Sequence, residues 1–140
     1  MERKNKKHFL VLLLLAISLL LFFLAFFIRF LVVLEKKEIP VTLEIGGRSG
    51  FDTNTTALTF GAITIGSTSQ RYLNLENSYP FPINFYFYAK GDVKKFLIFD
   101  KIVRLEGGEN KTIDIKAKAP DNESFGNYSG KMIIFIKKDI

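Results

Sequence analysis

A chain of 140 residues that is 48% hydrophobic and 14% aromatic is too apolar for disorder and has room for one ordinary domain plus an anchor. Its formal charge of +6 does not describe a nucleic-acid surface: Arg3, Lys4, Lys6 and Lys7 crowd the first eight residues beside Glu2, Arg29 stands alone, and residues 35–140 hold 15 basic against 13 acidic side chains. The absence of cysteine excludes disulfides, thiolate metal sites, thiol nucleophiles and a lipidated cysteine.

Residues 1–8 read as a short basic tail, and residues 9–34 as a transmembrane anchor. From position 9 to position 28 there is no charge, and only Ala16, Ser18 and Ala25 are not Leu, Ile, Val or Phe. As a helix this stretch is about 30 Å long, the thickness of a hydrocarbon core. Its large apolar side chains give an insertion free energy on the order of −5 to −10 kcal/mol. A cleaved secretory signal shares the basic start, but its apolar run is shorter, and Ala16-Ile17-Ser18 is followed by ten more apolar residues. An uncleaved anchor is therefore expected, with the basic tail inside the cell and the rest of the chain outside. Arg29, at the outer edge of the run, either pairs with an acidic group in a partner's membrane helix or snorkels to the headgroups.

Residues 35–56 are a linker and a first strand, and residues 57–140 a β-domain. Alternation at Val41, Leu43 and Ile45 marks the first strand, after which Gly46-Gly47-Arg48-Ser49-Gly50 breaks the pattern. Further strands are expected at 58–65, 70–77, 81–89, 96–105, 111–119 and 128–137. About seven strands with no helical pattern among them indicate an all-β, antiparallel sandwich behind one transmembrane α-helix. Ile113, Ile115, Ala117 and Ala119 form a buried row opposite Thr112, Asp114, Lys116 and Lys118. In the last run Met132, Ile134 and Ile136 face one way and Ile133 and Phe135 the other, so that strand is expected to be central.

The segments Leu58-x-Phe60-Gly61-x-Ile63-x-Ile65-Gly66-Ser67, Arg71-x-Leu73-x-Leu75-x-Asn77, Gly108-Glu109-Asn110-Lys111-Thr112, Pro120 and Gly126-x-Tyr128-x-Gly130 resemble Ig-like β-sandwich modules of the ASH and NEW3 type. The resemblance spans residues 57–137 and implies a non-catalytic stalk, spacer or binding surface. Within it, Tyr128 is similar to the tyrosine corner of Ig-like folds, whose phenol bonds upstream backbone, with Gly126 letting the chain turn before it. Gly130 stands where antibody domains have a disulfide cysteine, so packing replaces the bridge.

The remaining candidates are few. The lone histidine, His8, is at the inner membrane boundary, and no spacing suggests a nucleophile with its base; no catalytic residue, cofactor or metal is expected. Asp121 and Glu123 fall far short of a calcium ligand set and read as a solvated turn. Sequons at Asn54, Asn110, Asn122 and Asn127 read either as glycosylation sites of an outer domain or as ordinary turn chemistry, with Asn127 the least accessible. In 81–88, Phe81, Ile83, Phe85 and Phe87 make the inward row. Asn84, Tyr86 and Tyr88 then lie outward, either as a partner-binding face or as cross-strand pairs on a wet sheet.

The sequence thus leads to an expectation of a cell-envelope binding or scaffolding module, with membrane lipid along residues 9–34 and a protein in or at the membrane as its partners. Two other roles share these features: a stator-like subunit of a membrane or surface-filament complex, and an accessory subunit of a membrane enzyme.

Overall fold

The period of the sequence changes once, and the structure changes with it. The computed structural model describes the backbone of residues 2–47 and 57–139 and the side chains of 8–27, 33–47 and 57–139. Two units result, one ending at Val33 and one beginning at Leu34.

The first unit is a single helix, α1 (Glu2–Val32), uninterrupted by Gly or Pro. Its segment His8–Phe27 has a mean hydropathy of 3.2 and none of it is buried, so the helix is long and apolar enough to cross a membrane. Arg29 lies outside the described side chains.

The second unit is a β-sandwich, with eight strands among the described residues: β1 (Val33–Ile45), β2 (Leu58–Ile63), β3 (Thr68–Glu76), β4 (Ile83–Gly91), β5 (Leu97–Ile98), β6 (Ile102–Leu105), β7 (Asn110–Lys118) and β8 (Gly126–Lys138). One sheet has the order β2-β1-β8-β4-β6 and the other β3-β7-β5. The alternating rows meet between them. Val41, Leu43 and Ile45 of β1, Phe85 and Phe87 of β4, and Met132, Ile134 and Ile136 of β8 face Ile113, Ile115 and Ala117 of β7, all buried. β8 is the middle strand of its sheet, as its two apolar rows require.

Four departures from the sequence reading have physical causes. The run 96–105 is not one strand: β5 pairs with β7, and β6 pairs with β4 in the other sheet. The exposed Asp100-Lys101 pair lies in the crossing between them, where a continuous strand would have buried one of the two. Second, strand structure begins at Val33 rather than near Val41, because Leu34 and Ile39 already pack against the core. Third, the larger sheet is not wholly antiparallel, since β1 and β2 run parallel with an irregularity between Thr42 and Glu44. The residues from 46 to 57 are about as many as a parallel crossover needs. Fourth, Phe81 precedes β4; half-buried, it stacks on Tyr79 with ring centroids 5.2 Å apart.

Two local devices hold the ends of the sandwich. The hydroxyl of Tyr128 donates to the Ser124 carbonyl at 2.8 Å, and its ring meets Phe96 edge-on at 4.6 Å. That is the corner expected, except that Gly126 does not adopt a positive φ and the turn does not depend on it. Gly130 is required by a close approach. A Cβ there would run into the carbonyl of Lys90 on β4 and the Val93 side chain.

Candidate functional site

Alternation along β4 sends Ile83, Phe85, Phe87 and Ala89 into the core and leaves Asn84, Tyr86, Tyr88 and Lys90 on the outer face of the larger sheet. The register with β8 sets Asn84 opposite Lys137, Tyr86 opposite Phe135, Tyr88 opposite Ile133 and Lys90 opposite Lys131. On the other side, β6 sets Ile102 opposite Tyr86 and Arg104 opposite Asn84. The middle of this face is therefore aromatic and aliphatic, and its margin carries Lys90, Lys131, Lys137 and Arg104, of which Lys131 is paired with Glu38 and Arg104 with Asp139 and Glu106.

The packing of the patch is specific. Tyr88 meets Phe135 edge-on with ring centroids 5.8 Å apart, and this diagonal pair leaves Ile133 covered. Lys137 Nζ lies 4.9 Å from the ring centroid of Tyr86, and Lys36 Nζ lies 5.9 Å from that of Phe135. Both stems thus lie along apolar surface with their charges at the rim. Tyr88 remains 50% exposed and Ile102 57% exposed, so the centre of the face is open to solvent.

Of the residues the sequence singled out, Tyr86 and Tyr88 come together here. Asn84 sits on the same face, but its Nδ2 donates to Asp139 Oδ1 at 2.8 Å, and Arg104 Nε donates to Asp139 Oδ2 at 2.5 Å. Those two bonds, the Arg104 one first, hold the Asp139 carboxyl below its usual range. Asn84 therefore fixes the C-terminal end of β8 against β4 and β6. Ile102, Ile133 and Phe135 complete the face, and the sequence reading missed them as a group because it did not know which strands flank β4. The outward parity of Phe135 and Ile133 was the available signal.

A second opening adjoins this face. A cleft of about 650 Å³ lies between β4 and the segment that carries β5 into β6, and Tyr86, Tyr88 and Ile102 border both.

The other candidates are placed as follows. Glu123 accepts from Lys95 at 3.0 Å and from the Tyr128 hydroxyl at 3.3 Å, and the Lys95 bond is the main cause of its lowered pKa. No three His, Cys, Asp or Glu side chains among the described residues stand close enough to hold a metal. Asn110, Asn122 and Asn127 are all exposed. Asn127 lies at the very start of β8, on the solvent side of the strand. Asn54 lies outside the described residues. Comparison with protein-family models, with curated proteins and with solved structures finds no match.

Proposed function

We propose that the chain is a membrane-anchored, non-catalytic binding or scaffolding module of the cell envelope, which presents the outer face of its larger sheet to a protein partner. The observation that carries this reading is the exposed Tyr88 and Ile102 surface, continuous with Tyr86 and Phe135 and rimmed by Lys36, Lys137 and Arg104. Half-exposed tyrosines offer large contact area for little lost rotamer freedom, and they concentrate binding energy where a partner excludes water. The resemblance to ASH and NEW3 modules, which are non-catalytic, supports the same reading. So does the apolar helix with its basic tail, which suits an uncleaved anchor with the N-terminus inside. Confinement to the membrane plane would raise the effective concentration of the face for neighbours in that plane.

The test is photo-crosslinking in native membranes from a benzophenone amino acid placed at Tyr88, with the same group at Tyr72 as a control. Tyr72 is 69% exposed but belongs to the smaller sheet. A discrete adduct from position 88 and none from position 72 is the expected result. Equal labelling from both positions, or none from either, would remove the reason for assigning this face. Protease added to intact cells should degrade residues 35–140 if the domain is outside.

A further inference from the structure

β6 covers only part of β4. Their register runs from Ile83 to Tyr86, and one more bond follows, from the Phe87 N–H to the Lys101 carbonyl at 2.9 Å. Beyond Lys101 the neighbouring chain belongs to β5 and the other sheet. Because the Phe87 N–H points toward β6, alternation aims the N–H and C=O of Ala89 to that same side, whereas Gly91, at a φ of 89°, caps the 3-10 turn Asp92–Phe96 that follows β4. β6 is the last strand of the sheet, so no strand of the described residues meets the Ala89 groups there.

The cleft lies along this edge. Its walls include Tyr88, Ala89, Ile98 and Ile102, and Ile98 is 54% exposed although apolar. The charged side chains lining it are Lys94 and Lys101, both cationic. The strand-edge N–H and C=O of Ala89, apolar walls on both sides and two lysines at the margin are three separate recognition elements.

We propose that this cleft accepts an extended segment of a partner protein, apolar at alternate positions and acidic at its ends, which joins the larger sheet as a strand beside β4. An extended backbone meets the Ala89 N–H and C=O together, and apolar alternation fits a site with one wall toward the core and one toward the Tyr88 face. The acidic ends answer Lys94 and Lys101. A second copy of this chain is the poorer occupant, since pairing β4 with β4 would bring the same lysines together. The proposal rests on the reading of the chain as a binding module, and it names the partner's form.

The experiment uses the full chain in detergent micelles and a short synthetic peptide of alternating valine and threonine with glutamates at both ends. Saturable binding by fluorescence anisotropy is expected, together with slowed hydrogen exchange at the Ala89 amide. A fully N-methylated peptide, a lysine-ended peptide and the Ala89→Pro variant should each weaken binding at least about tenfold. Should Ala89→Pro disturb the fold by circular dichroism, the Lys94→Glu/Lys101→Glu variant carries the test: it should lose the glutamate-ended peptide and gain the lysine-ended one. No binding, equal binding of the N-methylated peptide, or unchanged exchange at Ala89 would overturn strand addition. Self-association that Ala89→Pro abolishes would assign the edge to a second copy and overturn the acidic partner. Partner crosslinking from position 88 that ignores both variants would leave the aromatic face standing and refute the edge alone.

Discussion

The side-chain amide of Asn77 donates to the Glu106 carbonyl at 2.8 Å, joining the turn after β3 to the turn before β7. The same amide donates to Phe81 at 2.9 Å and reaches Leu105 at 3.3 Å, while its Oδ1 accepts from the Tyr79 N–H at 3.0 Å. Asn77 is 0% exposed, and its own backbone N–H and C=O are taken by Glu109 and Gly108. Removing it takes the donor from the part-buried Phe81 and Glu106 carbonyls and leaves a void where the buried amide stood. Asn77→Ala should cost about 2–4 kcal/mol in urea unfolding, well above an ordinary turn substitution. Asn77→Asp should cost at least as much, because a carboxylate cannot donate to those carbonyls. Retained stability in both would refute the clasp.

Gly130 and Gly91 face each other across β8 and β4, and each leaves no room for a Cβ. Gly91 has in addition a φ of 89°, in the region that disfavours L side chains. Gly130→Ala should therefore destabilise by about 1–3 kcal/mol through overpacking against the Lys90 backbone. Gly47→Ala, with nothing near the added methyl, should be close to neutral. Equal melting temperatures for the two variants would contradict the close approach.

Tyr128→Phe removes the hydroxyl, with its bond to the Ser124 carbonyl and its longer one to Glu123, without changing the ring that lies on Phe96. About 1 kcal/mol is expected for its loss, or roughly 4–8 °C in a domain of this size. Tyr128→Ala should lose more, since the edge-on contact with Phe96 disappears with the ring. If Phe and Ala substitutions melt alike, the corner owes its stability to the hydroxyl alone and the packing argument fails.

These effects show what could be read in advance. The row Ile113, Ile115, Ala117 carries its own period, and Tyr128 is flagged by the glycines on either side of it, so both were legible from residues close in sequence. The break at Asp100-Lys101 was harder, because Phe96 to Phe99 is apolar, Ile102 to Leu105 is apolar but for Arg104, and periodicity does not say which sheet each joins. Asn77 was hidden for a different reason: an Asn beside Ser78 and Pro80 looks like solvated turn chemistry, and its burial depends on Phe81, Leu105 and Glu106 arriving from elsewhere. The outward side of Tyr86 and Tyr88 follows from alternation. Their neighbours Phe135 and Ile102, and the open edge at Ala89, follow only from strand order, which is a property of the folded chain.

Acid should act on a small set of carboxylates. Glu38 of β1 accepts from Lys131 of β8 at 2.6 Å and from Lys36 at 2.6 Å, and these bonds, Lys131 first, lower its pKa from 4.5 to about 2. Asp139 and Glu123 are depressed as well, mainly by Arg104 and by Lys95. A carboxyl whose folded pKa lies below its unfolded one binds fewer protons when folded, so its contribution is complete above the unfolded value and shrinks as the pH falls. For Glu38 the loss runs from about 4.5 down to about 2, and nothing from it changes toward neutrality. Its side chain is 37% exposed, so salt should screen the effect and keep it modest. Thermal melts in low salt should show a melting temperature that is flat above this window and falls within it. Glu38→Gln should flatten part of that slope, and Lys131→Gln should do the same. A slope unchanged in both variants would mean that the β1 to β8 ion pair contributes nothing to the acid response.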